Sequence, residues 1–147
     1  MNLEQQVCSL DLAKRLNELG VKYESLLWWN GALEWVEKEV SNHGGGISRV
    51  MVEDEKLTWN ISRVPSDHPS CKASYAAFTV AELGEMLKSK YVRSSWVWLP
   101  DLEEGLPKEN KWHCIVGGQV EGFTADREAD ARAKMLIYLI ENKLITV

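Results

Sequence analysis

Long apolar runs are missing from this chain: no stretch of its 147 residues approaches the roughly 20 apolar side chains of a membrane-spanning helix. The opening residues Met1-Asn2-Leu3-Glu4-Gln5-Gln6 have neither the basic nor the apolar region of a secretory signal. The expectation is a cytoplasmic protein without membrane contact. Cysteine is scarce. Cys8, Cys71 and Cys114 make an odd number without framework spacing, which argues against a disulfide-stapled secreted fold and suits reduced thiols. Positive charge is in deficit, with 17 Lys and Arg against 22 Asp and Glu, and acidic groups outnumber basic ones in both halves. Nucleic-acid binding normally needs the opposite balance, so charge argues against that partner.

Catalytic signatures are absent too. There is no Gly-x-Ser-x-Gly elbow, and Gly44-Gly45-Gly46 lacks the Lys-Ser/Thr of a phosphate-binding loop. No internal repeat occurs. What remains is an ordinary globular composition, 45% hydrophobic and 27% charged. Its length suits one domain spanning residues 1–147 and able to bury about 70% of its unfolded surface.

The abundant residue is tryptophan: Trp28, Trp29, Trp35, Trp59, Trp96, Trp98 and Trp112, seven in all. Indole is the largest apolar side chain that keeps a hydrogen-bond donor. It also gives a partner much contact area with few rotors to freeze. About half are expected in the core, the remainder on a partner surface or lining a pocket that could stack a base-like ligand. The candidate binding set is Trp28, Trp29, Trp96, Trp98 and Trp112.

Local patterning predicts three helices. The first runs from about Ser9 to Leu19, with Leu12, Ala13, Leu16 and Leu19 as its stripe and Gly20 as its stop. The second begins at the capping box Thr79-Val80-Ala81-Glu82, with Phe78 and Leu83 as a hydrophobic staple, and ends near Lys88. The longest runs from about Thr124 to Asn142. Asp126, Glu128 and Asp130 favour its positive end, and the apolar run Met135–Ile140 implies cover on more than one side.

Between the helices, Glu24–Trp29 and Leu33–Glu37 read as strands around an Asn30-Gly31 hairpin turn, with a helix over Ala32–Val40 as the alternative. Ile47–Val52 and Leu57–Ile61 form a second hairpin around Glu53-Asp54-Glu55-Lys56, and Ser41–Gly46 and residues 64–74 are loops. Trp96–Leu99 is a strand ended by Pro100, and Asp101–Asn110 an acidic loop. Trp112–Val116 and Gln119–Phe123 form a third hairpin around Gly117-Gly118. The expected class is α+β: a mostly antiparallel sheet of hairpins packed with three helices, the C-terminal one long.

Three blocks carry a resemblance: Cys8–Leu16 running into Leu19-Gly20-Val21, Phe78–Leu87, and Glu128–Asn142. Together they resemble a family of small, uncharacterised bacteriophage and prophage proteins. The resemblance covers roughly a third of the chain and coincides with the three helices. It implies a protein made inside an infected or lysogenic bacterium, with a host protein as the expected partner, and transfers no site residue.

Several constellations point to chemistry. His68, Cys71, His113 and Cys114 supply tetrahedral zinc ligand types, though adjacent residues of a strand point to opposite faces. Cys71 or Cys114 beside His43, His68 or His113 has the composition of an activated thiol nucleophile. The acidic groups Glu53-Asp54-Glu55, Asp101-Glu103-Glu104 and Asp126-Glu128-Asp130 fall in turns and a helix start, which solvated charge explains. Leu10–Val21 hints at a helix-turn-helix, but the residues after it are poor in Arg and Asn for base readout. No metal or cofactor is assigned. The expected function is a non-enzymatic phage accessory protein that binds a host protein, counter-defence being one such role. The alternatives are a small-molecule or nucleotide-like ligand binder or enzyme with an indole-lined pocket, and thirdly DNA binding.

Overall fold

Helix-start chemistry sets the ends of the helices. The molecule is seen in a computed structural model describing residues 2–88, 92–99, 109–116 and 122–146. Its helices are α1 (Leu3–Gln6), α2 (Leu10–Glu18), α3 (Val80–Leu87) and α4 (Glu128–Glu141). Gly20 stops α2 with a φ of +86°, a conformation that favours glycine. The capping box of α3 forms: Thr79 Oγ1 accepts from Glu82 N at 3.3 Å, and Glu82 Oε2 accepts from Thr79 N at 2.8 Å. Ser9 stands at the N-cap of α2, yet its hydroxyl makes no capping bond. Its backbone N–H donates instead to Asp130 Oδ1 of α4 at 2.6 Å.

The strands divide into two antiparallel sheets. β1 (Trp28–Ser41), β2 (Ile47–Ser62) and β3 (Cys71–Ala76) lie in the order β2-β1-β3. β4 (Val92–Leu99), β5 (Glu109–Val116) and β6 (Gly122–Ala125) lie in chain order. α4 packs on β4–β6 and also meets α2 and α3. Its Ala129, Ala131, Ala133, Met135, Leu136 and Leu139 are buried, so cover on more than one side is what its apolar run requires. α2 packs against β3. The core joins Val7, Leu16, Trp29, Phe78, Leu83, Leu87 and Cys114 to the α4 residues.

The α+β class, the antiparallel pairing, the long C-terminal helix and the glycine loop after β1 agree with the sequence reading; two of the expected hairpin turns do not. Asn30-Gly31 is no hairpin turn. β1 runs straight through it, so neither the turn nor a helix over Ala32–Val40 exists. Asn30 is buried with all its hydrogen-bonding capacity used. Its Nδ2 donates to Ser62 Oγ at 2.5 Å and Val64 O at 3.0 Å. Its Oδ1 accepts from Ser66 N at 3.1 Å and Ser74 Oγ at 2.6 Å. Gly31 is needed for close approach: it pairs with Trp59, and a Cβ there would lie 2.6 Å from the indole.

Glu53–Lys56 is likewise no turn. β2 continues through it, and the polar run makes a bulge: Leu33 pairs with Leu57 and Trp35 with Glu53, leaving residues 54–56 opposite Glu34 alone. The single turn between the two long strands is the glycine segment, where Gly45 takes φ +81° and Asn42 N donates to Gly46 O at 2.7 Å. Residues 71–74, read as loop, belong to β3. Gly122 and Phe123 are strand as read, Thr124 and Ala125 extend β6 and do not start α4, and α1 was not foreseen. The Gly117-Gly118 turn and most of the acidic segment after Pro100 lie outside the described residues.

Gly31→Ala is expected to destabilise the fold by about 1–3 kcal/mol through the forced shift of Trp59. Thermal and urea unfolding followed by tryptophan emission would check it. Were Asn30-Gly31 a surface turn, the same substitution would instead cost little.

Candidate functional site

Two strands without a third cannot enclose an interior, and β1 and β2 outrun their neighbour. β3 pairs with β1 only over Trp28–Ala32, so residues 34–52 continue past it as a two-stranded arm. Strand alternation assigns its faces. Trp35, Glu37 and Glu39 of β1 share one face with Met51, Arg49 and Ile47 of β2. Val36, Lys38 and Val40 share the other with Val52, Val50 and Ser48. On the first face Trp35 is 56% exposed, Met51 57% and Ile47 67%. Arg49 Nε approaches Glu39 Oε1 at 3.9 Å, an exposed and weak pair. On the second face Val40 and Val50 are exposed as well.

Four other indoles, those of Trp28, Trp29, Trp59 and Trp112, belong to residues outside the arm. Trp29 is a core residue, buried, with its Nε1 donating to Cys8 O at 3.1 Å. A partner therefore cannot reach it. Trp28 is half-buried, donates to Ser25 O at 3.1 Å, and lines a small cleft with Ala13, Val21 and Phe78. Trp59 lies against Tyr75, with Lys14 Nζ 5.0 Å above its ring. Trp112 is half-buried in a separate cleft of about 560 Å³ between the starts of α3 and α4, beside Gln5, Gln6 and Arg127. The backbone of Trp96 pairs with that of Trp112. The indoles of Trp96 and Trp98 lie outside the described residues.

Two carboxylates that sequence reading left to solvent or to a simple cap bind the elements together. Glu82 is buried; beyond the capping box, its Oε1 accepts from Leu26 N at 2.7 Å and its Oε2 from Ser25 Oγ at 3.0 Å. Asp130 holds Ser9 N on one oxygen and Arg127 at 3.0 Å on the other. Arg132 pairs with Glu128 at 2.9 Å and donates to Val80 O at 3.3 Å, passing over Gly84, where a Cβ would lie 2.5 Å from its Nη1.

The chemical constellations do not assemble. His68 and Cys71 belong to the first sheet and its approach, His113 and Cys114 to the second, so the four zinc ligand types are not brought together. Among the described residues, no three His, Cys, Asp or Glu side chains are placed to share a metal. His68 Nδ1 meets Ser70 Oγ at 2.7 Å, while Cys71 Sγ donates to Ala73 O at 3.4 Å. His43 sits in the arm's turn. Burial pushes the Cys114 thiol up to about 11 and the Cys8 thiol up to about 12, the opposite of an activated nucleophile. No helix follows Gly20: residues 21–27 lead directly into β1, so the helix-turn-helix is not formed. No described helix is long and apolar enough to cross a membrane.

No family model, curated protein or solved structure matches the chain.

Sequence reasoning missed Trp35. Its neighbours Glu34, Glu37 and Glu39 mark a solvated strand, and an indole among charges on alternating positions was the available signal.

At pH 8 an aromatic disulfide reagent should titrate Cys71 in the native protein and reach all three thiols only after denaturation. Because folding raises the Cys8 and Cys114 values above the unfolded one, their stabilising effect is complete below about pH 9 and declines as pH rises toward 11–12. Unfolding midpoints measured from pH 7 to 11 should fall above pH 9. Fast native labelling of all three thiols contradicts their placement.

Proposed function

We propose that this is a non-enzymatic binding protein whose contact surface is the aromatic and acidic face of the β1–β2 arm. The observation that carries the reading is the exposure of Trp35, Met51 and Ile47 together, with Glu37 and Glu39 among them, on a ribbon too thin to bury them itself. Trp and Met are favoured anchors where a partner removes them from water, and the carboxylates suit a partner with a basic rim. The partner class, a host protein met in a bacterial cytoplasm, rests on the resemblance of the three helical blocks to phage and prophage proteins.

The test is binding by the arm alone. Tagged protein should retain one stoichiometric partner from bacterial lysate, and calorimetry with that partner purified should give a binary complex. Trp35→Ala with Met51→Ala is expected to weaken it about 30-fold or more while leaving the unfolding midpoint nearly unchanged. Unaltered affinity would place the contact elsewhere.

A second reading has its own support in the Trp112 cleft, whose volume suits a small ligand and whose wall offers an indole for stacking. Titration with a nucleoside monophosphate should then quench tryptophan emission, and Trp112→Phe should abolish the change. A flat titration in both proteins removes this reading.

A further inference from the structure

The arm has an edge as well as faces. β2 pairs with β1 on one side, and no described strand pairs with its other edge. Strands left at an edge usually carry a proline or charges, bulge, are short, or are covered, because their unpaired N–H and C=O groups recruit another strand. β2 has its bulge and acidic run at residues 53–56, but the stretch before them contains no proline and exposes Ile47, Val50 and Met51.

Two-fold symmetry restricts how two such edges meet. An antiparallel pair related by an axis normal to the sheet has one residue facing its own copy, and facing residues keep the same parity along the strand. With the axis at Met51, Met51 faces Met51, Val50 faces Val52, and the cationic position 49 faces the anionic position 53 twice. An axis at Val50 sets Arg49 against Met51 and Ile47 against Glu53. About Met51 the ladder ends at the 49–53 pairs, because the next pair, 48 with 54, reaches the bulge; an axis at Val52 meets the bulge one pair nearer the axis. The sequence of the edge is thus self-complementary in one register, and Arg49's contact within its own chain, at 3.9 Å to Glu39, is too weak to hold it back.

We propose that two copies of this chain pair antiparallel along the outer edge of β2 about Met51, making a continuous sheet in the order β3-β1-β2-β2-β1-β3. The ladder is short and Arg49 is exposed, so the dimer is a concentration-dependent one, forming at micromolar protein. The inference goes beyond the binding reading: it uses the backbone edge of β2, with Met51 common to both surfaces and Trp35 belonging to the face alone. Edge pairing leaves the Trp35 face open, so a monomeric protein that still binds its partner removes only the dimer.

Sedimentation equilibrium of the full chain from about 1 to 200 µM should show a monomer–dimer equilibrium. Arg49→Glu and Glu53→Arg should each weaken it at least tenfold, since each sets like charges opposite one another twice. Mixing the two variants should restore a dimer containing one of each. In a Cys71→Ser background, Met51→Cys should oxidise to a disulfide-linked dimer, while Ile47→Cys should not, which reads the register even where a charge variant folds poorly. A wild-type chain that stays monomeric throughout overturns the proposal. So does a mixture of the charge variants that associates no better than either alone.

Discussion

Asn30 lies in the middle of β1 with a side chain that carries two donors and two acceptor sites, and burial obliges the fold to satisfy them all. Ser62 and Val64 take the amide hydrogens; Ser66 and Ser74 supply donors to the carbonyl. Each unmet group would cost about 1–3 kcal/mol, so the strand, the loop after β2 and the strand β3 are tied at one point. With Asn30 held there and Gly31 roofed by Trp59, β1 has no freedom to turn. It continues, and β2 returns beside it along the whole length. The bulge at residues 54–56 marks where the ribbon leaves the body.

The helices are fastened by a related device. In α3 and α4 the third helical residue is a carboxylate, Glu82 and Asp130, and each accepts a backbone N–H from a segment distant in sequence. Glu82 fixes the chain just ahead of β1, and Asp130 fixes the start of α2. Acids at these positions favour the positive helix end in any case. Here the same charge also aligns neighbouring elements, which leaves little room to read the Asp126-Glu128-Asp130 group as a hydrolytic pair. Arg132, threaded over Gly84 to the Val80 carbonyl, closes α3 against α4.

Three of the four described helices were legible because their signals are local. Thr79 and Glu82 need only each other to announce α3, and Gly20 needs only its own φ to end α2. The strand ends were not legible because the same residues serve two purposes. Asn-Gly accepts positive φ in a turn, but asparagine also fills a buried polar niche and glycine also admits a ring, and only partners distant in sequence decide between them. Glu53–Lys56 is polar enough for a turn, and a bulge tolerates the same polarity. The candidate binding set suffered similarly: Trp29, beside Trp28 in sequence, is drawn inside by Cys8, while Trp35, left out of the set, stands in solvent.

A body that buries Trp29 and half-buries Trp28, Trp59 and Trp112 treats indole as packing material. The arm cannot. Every side chain on a free ribbon faces water on one side or the other, and the monomer gains nothing from placing Trp35, Met51 and Ile47 on one face and Val40 and Val50 on its reverse. A flat partner on the Trp35 face would leave Val40 and Val50 on the reverse in water. Pairing along the β2 edge would broaden each face to four strands without covering either. The two proposals thus divide the arm between its backbone edge, for a second copy of the chain, and its Trp35 face, for a different molecule, with Met51 common to both.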